Sequence, residues 1–190
     1  MIYSFLQNGD SAVTVQFKNE ISKEVNRQVT GLCNRIEAKH IDGIVELVPT
    51  FASLTVFYDC TIISSKKLKK KVEALINGKE CDVKSTAKVW NIPVCYDDEF
   101  ALDMKNVCSH TTLEREEVIK LHTSKPYLIY MLGFLPGFAY LGGMDERLFT
   151  PRLKTPRLEI FEGAVGIGGE QTGIYPIASP GGWQLIGKRP

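Results

Sequence analysis

The spacing of apolar residues changes character along this chain. Over residues 11–17 they fall near every second position, at Ala12 or Val13, Val15 and Phe17, which is the alternation of a half-buried strand. From residue 20 the interval lengthens: Ile21, Val25, Val29, Leu32, Cys33 and Ile36 form one stripe of an amphipathic helix running to about residue 39, before Gly43. Segments 44–48 and 51–58 read as two strands joined tightly through Pro49-Thr50. Leu68, Val72, Leu75 and Ile76 mark a second helix stopped by Asn77-Gly78, and 86–94 reads as a further strand. The order β-α-β-β-α-β predicts a ferredoxin-like α+β domain over residues 1–88.

The pattern then breaks up. An acidic stretch over 97–103 leads into short helices, with Thr111-Thr112-Leu113-Glu114 offering a capping box before Leu113, Val118, Ile119 and Leu121. That helix should end near His122. Segment 126–144 carries no charge and imitates a membrane span in length, but Pro126, Gly133, Pro136, Gly137, Gly142 and Gly143 interrupt it. Its aromatic residues favour two short strands around a Pro-Gly turn. Short apolar runs divided by turn residues continue to the end, so residues 89–190 are expected to form a mainly-β barrel.

Composition sharpens this division. Twelve of the 16 glycines and seven of the nine prolines lie at or after Pro126, so the last third is built differently from the rest. A net charge of +1 argues against a nucleic-acid partner. The lysines at 66, 67, 69, 70 and 71 read as the solvated face of the second helix. No secretory leader is evident at residues 1–6, which points to the cytoplasm and away from a membrane. The five cysteines are scattered without a Cys-x-x-Cys pair, and only three histidines are present. Reduced thiols are expected, and no metal site.

Four segments bear on chemistry. Residues 182–188 match G-x-x-x-x-G-K, the opening of a phosphate-binding loop, but bulky residues fill the loop and Arg189 stands where Ser or Thr would hold magnesium; a strand fits better. Thr150-Pro151-Arg152 is echoed by Thr155-Pro156-Arg157. Two guanidinium groups on proline-stiffened backbone can clamp a carboxylate or phosphate. The same arginines can instead pair with Glu159, Glu162 or Asp145 in a structural loop. Gln171 and Thr172 stand between Gly169 and Gly173, where small residues let a polar substrate approach; barrel corners need such glycines too. Ser179 lies in a turn-like Ser-Pro-Gly-Gly and lacks the context of a nucleophile. His122 is the acid/base candidate, against the plainer reading of a helix-end cap.

Several long motifs resemble one known family. They are Gly133-Phe134-Leu135-Pro136-Gly137-Phe138-Ala139-Tyr140-Leu141-Gly142-Gly143, Thr155-Pro156-Arg157, segment 166–176, and Ser179-Pro180-Gly181-Gly182-Trp183-Gln184-Leu185-Ile186-Gly187. Weaker matches at Gly9-Asp10, Pro49-Thr50-Phe51-Ala52-Ser53-Leu54, Ile92-Pro93-Val94-Cys95-Tyr96 and Leu121-His122 extend the likeness over nearly the whole chain. The series resembles the B subunit of bacterial ATP-dependent 5-oxoprolinase, a family that includes the kinase inhibitor KipI and was formerly labelled allophanate hydrolase subunit 1.

The resemblance implies a small α+β domain followed by a cyclophilin-like β-barrel. It implies two partners, a tightly bound C subunit of 5-oxoprolinase and a separate A subunit. The complex would open 5-oxo-L-proline to L-glutamate with hydrolysis of ATP, carried with Mg2+ at a site the sequence does not locate. Within that activity His122 and Arg157 become catalytic candidates, and Arg152, Gln171 and Thr172 substrate-binding candidates. Two other readings stay open: a KipI-like inhibitor docking on a sensor histidine kinase, and a component of another amide- or urea-processing hydrolase. The acidic stretch at 97–103 departs from the family's usual Gly-rich wording, and relatives continue past residue 188 with further strands. A truncated, open barrel is therefore expected, its edge covered by self-association.

Overall fold

The computed structural model describes residues 2–77 and 88–190. The chain divides into two compact units, Met1–Thr86 and Ala87–Pro190.

In the first unit the helices form as the periodicity predicts. Helix α1 (Lys23–Lys39) starts at Ser22, whose hydroxyl accepts from the Val25 N–H at 3.2 Å, and ends on His40 in the left-handed region. It buries Val25, Val29, Leu32, Cys33 and Ile36. Helix α2 (Ser65–Ile76) buries Leu68, Val72 and Ile76, while Lys66, Lys67, Lys70 and Lys71 face solvent. Four antiparallel strands complete the unit: β1 (Ser4–Asn8), β2 (Ala12–Gln16), β3 (Ile44–Pro49) and β4 (Ser53–Tyr58), in the order β1-β2-β4-β3. The core runs between helices and sheet through Val15, Leu32, Leu54 and Leu68, each fully buried.

Among the described residues this order differs from the β-α-β-β-α-β order expected. The described elements run β-β-α-β-β-α, because the chain opens with a β1–β2 hairpin turned at Asn8-Gly9 with Gly9 at φ 62°. Asn-Gly between alternating segments is a hairpin signal already present in the sequence. In a split βαβ fold the last strand would flank the first; here β1 lies beside β2 instead. Thr86 and Ala87 of the expected last strand lie outside the described residues, as does Cys81. Residues 88–94 form no strand, and Cys95 makes a single bridge to Lys188.

The second unit begins with α3 (Met104–Thr111) and α4 (Arg115–Thr123). The α4 capping box is formed by Glu114 and Glu117, three residues later than the Thr111–Glu114 pair expected, because Thr112 at φ 57° closes α3 first. Segment 126–144 folds as two strands, β5 (Leu128–Leu132) and β6 (Ala139–Gly142), joined by a turn with Phe134 at φ 67° and Gly137 at φ 83°. Among the described residues no helix is long and apolar enough to cross a membrane.

Then come β7 (Arg157–Ile160), β8 (Ala164–Gly168), β9 (Gln171–Ile174), β10 (Ser179–Gly181) and β11 (Gln184–Lys188). One sheet has the order β11-β8-β9-β6-β5, and β7 pairs with β10 separately. Among the described residues no ladder joins β5 to β11, so the strands form an open five-stranded sheet and a separate antiparallel pair rather than a closed barrel. All five residues of β8 are buried, so this sheet is covered on both faces. On one side lie Val107, Val118, Leu148, Ile167 and Ile186; on the other lie Phe138, Ile160, Tyr175, Trp183 and Leu185.

Candidate functional site

The central strands of this sheet distribute the candidate residues. Adjacent residues of a strand point to opposite faces, and directly paired residues share a face. Gln171 pairs with Gly168 and Thr172 with Ile167. Gly168 faces Trp183, since a Cβ there would lie 2.5 Å from the indole ring. Gln171 and Gly173 therefore belong to the Trp183 face, and Thr172 to the face of Ile167. Gln171 and Thr172 were expected to contact one substrate together; β9 separates them.

On the Ile167 face Thr172 meets His122 of α4, fifty positions earlier in the chain. His122 Nε2 lies 2.9 Å from Thr172 Oγ1, and His122 Nδ1 lies 2.8 Å from the Tyr96 hydroxyl. The Thr172 hydroxyl donates to the Gly166 carbonyl at 2.9 Å, which leaves its oxygen to accept from His122. The consistent assignment carries the proton on Nε2, with Nδ1 accepting from Tyr96. Tyr127 donates to the His122 carbonyl at 2.6 Å, and Arg115 donates to the Tyr96 carbonyl while pairing with Asp98. Burial pushes the His122 pKa down to about 4 and that of Tyr96 up to about 12. This histidine is neutral, and both of its nitrogens are committed. The geometry is that of an internal strut.

Arg157 is likewise committed. Its guanidinium binds Asp103 bidentately, Nη1 to Oδ2 at 2.9 Å and Nη2 to Oδ1 at 2.7 Å. Asp103 is buried, and its Oδ2 also accepts from the Leu185 N–H at 2.7 Å. One carboxylate thus gathers β7, β11 and the start of α3. None of Glu159, Glu162 or Asp145 is the partner; Asp145 holds Arg147 instead. Asp103 was missed because it lies 54 positions from Arg157 in an acidic run whose members look alike.

The Trp183 face is different. Phe134, Phe138, Tyr140, Tyr175 and Trp183 line a cavity of about 270 Å³ with Arg152 beside them. The rings meet edge to face: Phe138 lies 4.9 Å from Tyr140, 5.1 Å from Tyr175 and 5.4 Å from Trp183. Glycines make this packing possible. A Cβ at Gly173 would lie 3.0 Å from both Phe138 and Trp183, and one at Gly181 would lie 2.5 Å from the Tyr175 hydroxyl. The Arg152 guanidinium carbon lies 5.7 Å from the Trp183 ring centroid, a cation–π distance, and Arg152 has no ion pair among the described residues. Gln171, 7% exposed, keeps a buried Nε2 without a hydrogen-bond partner. Phe134 holds a left-handed backbone at the cavity wall, a strained conformation for a bulky residue.

The structure thus brings His122 and Thr172 together, ties Arg157 to Asp103, and assigns Arg152 and Gln171 to the aromatic face. Phe134, Phe138 and Tyr140 read in the sequence only as strand formers, and nothing in the spacing joins them to Tyr175 and Trp183. The edge contacts that gather them depend on pairings of β6, β8 and β9.

Comparison with known proteins agrees over nearly the full length. Residues 3–190 match the carboxyltransferase domain family, subdomain C and D. The chain is 44% identical to the B subunit of 5-oxoprolinase from Bacillus subtilis, covering 99% of this chain and 82% of that protein. It is 40% identical to the corresponding B subunit from Haemophilus influenzae, covering 94% and 82%. The solved urea amidolyase of K. lactis superposes with a TM-score of 0.81 at 22% identity, over 98% of this chain and 13% of that one, a likeness of fold.

Proposed function

This chain belongs to the family of 5-oxoprolinase B subunits, and we propose that it works as one component of an ATP-dependent 5-oxoprolinase. In the net reaction water opens the lactam amide of 5-oxo-L-proline to L-glutamate, and ATP hydrolysis drives it. The observation that carries this reading is 44% identity with a 5-oxoprolinase B subunit over 99% of the chain. A cavity of about 270 Å³ supports it, being at the small end of ligand pockets and suited to a single-ring metabolite.

ATP does not fit the one phosphate-loop-like segment. Residues 184–188 are a strand whose backbone pairs with β8, and Lys188 Nζ lies 5.1 Å from the Phe100 ring centroid and 5.6 Å from that of Phe161. Neither free N–H groups nor an outward lysine is offered there to a triphosphate. We assign nucleotide binding, with its Mg2+, to the assembly formed with the A and C subunits in the cytoplasm.

In this reading His122 and Thr172 brace the sheet, and Arg157 with Asp103 fixes the strands beside the cavity. The test is co-expression with both partner proteins and measurement of glutamate release from 5-oxoproline. Glutamate formation that requires both ATP and this chain is expected. An intact three-protein complex that forms none would refute the reading.

A further inference from the structure

Of the five arginines of the second unit, Arg189 is exposed and has no ion pair among the described residues, and the other four can be compared by what holds them. Arg115, Arg147 and Arg157 each pair with an aspartate. Arg152 pairs with no carboxylate among the described residues and lies instead over the Trp183 ring. Among the described residues it is also the one charged side chain lining the aromatic cavity. An indole face stabilises a guanidinium without using its N–H donors, so the donors stay free for an anion. The planar fork of arginine matches a carboxylate in two parallel hydrogen bonds.

The remaining walls are apolar. Phe134, Tyr140 and Pro156 offer ring and methylene surface, which favours an uncharged ring over a second charge. The cavity volume suits one small ring rather than a nucleotide.

We propose that this cavity binds a small monocarboxylate whose carboxylate sits on Arg152 and whose neutral ring lies against the aromatic wall. The inference rests on the 5-oxoprolinase reading for the identity of that molecule, 5-oxo-L-proline.

The experiment uses the full chain with Trp90→Phe, which leaves Trp183 as the single tryptophan. Trp183 emission is titrated with 5-oxo-L-proline, with 2-pyrrolidone, which lacks the carboxylate, and with acetate, which lacks the ring. A saturable response to 5-oxo-L-proline, at least about tenfold stronger than to either fragment, is expected. Arg152→Ala should weaken it by about 10- to 100-fold, the range for a hydrogen-bonded charge, and Arg152→Lys by less. Thermal melts check that the variants fold, which the exposed position of Arg152 favours.

No saturable response, an equal response to acetate, or undiminished binding by Arg152→Ala would each overturn the proposal. The two readings fail separately. Glutamate formation by a complex whose Trp183 ignores 5-oxo-L-proline would remove this site and leave the function. Binding at Trp183 in a complete but inert complex would do the reverse.

Discussion

The two faces of the β11-β8-β9-β6-β5 sheet hold His122 and Arg152 in different ways. On the Ile167 face, His122, Thr172, Tyr96 and Tyr127 form a closed set in which each hydroxyl and ring nitrogen has a partner. On the Trp183 face, a cation has only an indole beneath it and a buried amide donor has no partner. Buried polar groups are costly unless paired, so the closed set around His122 secures the fold, whereas the exposed Arg152 guanidinium keeps its N–H donors free at the cavity. His122, chemically the most versatile candidate in the sequence, has both ring nitrogens hydrogen-bonded within the protein on the Ile167 face.

The largest test of this comparison removes the frame both faces share. Asp103→Ala leaves the Arg157 guanidinium and the Leu185 N–H without their acceptor, and urea denaturation should report a loss of about 3–5 kcal/mol. A loss below about 1 kcal/mol would mean the pair is a solvated surface contact.

The next test uses pH. The His122 pKa falls from 6.5 to about 4 on burial, so between those values the unfolded chain binds a proton that the folded chain refuses. Stability should therefore be full above pH 6.5 and decline as pH falls towards 4. With about 1.4 kcal/mol per unit, this group contributes a decline of roughly 3 kcal/mol. His122→Gln, which does not titrate, should flatten that slope in denaturation measured across the range. An unchanged slope would show that other groups cause it.

Smaller effects separate the faces. Thr172→Val should cost about 1–3 kcal/mol by orphaning His122 Nε2 and the Gly166 carbonyl, with little change in Trp183 emission. Gly168→Ala, whose Cβ meets the indole at 2.5 Å, should cost a similar ~1–3 kcal/mol by overpacking but displace Trp183 and change its emission. Equal emission changes in the two variants would erase the distinction. The smallest stability effect is expected for Phe134→Gly. Relief of the left-handed backbone, worth about 1 kcal/mol or more, offsets the lost ring contacts, so the melt should barely move while affinity for 5-oxo-L-proline falls.

Much of the fold was legible in the sequence because it is local. The stripe from Val25 to Ile36 and the Pro-Gly turn within 126–144 are decided by periodicity and turn chemistry. The β1–β2 hairpin was legible too, through Asn8-Gly9, but short strands at a chain end carry little pattern. What the candidate residues meet was not legible. Arg157 finds Asp103 and His122 finds Thr172 across more than forty positions, and spacing carries no information about such pairs. Adjacency misled once: Gln171 and Thr172 are neighbours in sequence and face opposite sides of the sheet because β9 is a strand. The glycine-rich wording was informative for a physical reason, since Gly168, Gly173 and Gly181 are where rings occupy the space of a side chain.

The most direct measurement compares the two faces by activity. In the complex with both partner proteins, kcat/KM for ATP-dependent glutamate release is determined for Arg152→Ala and for His122→Gln, at a pH and temperature where both remain folded. A loss of at least about tenfold is expected for Arg152→Ala, carried mainly by KM, with a much smaller change for His122→Gln. Full activity in Arg152→Ala together with abolished kcat in a folded His122→Gln would contradict it, placing the chemistry on the face described here as structural.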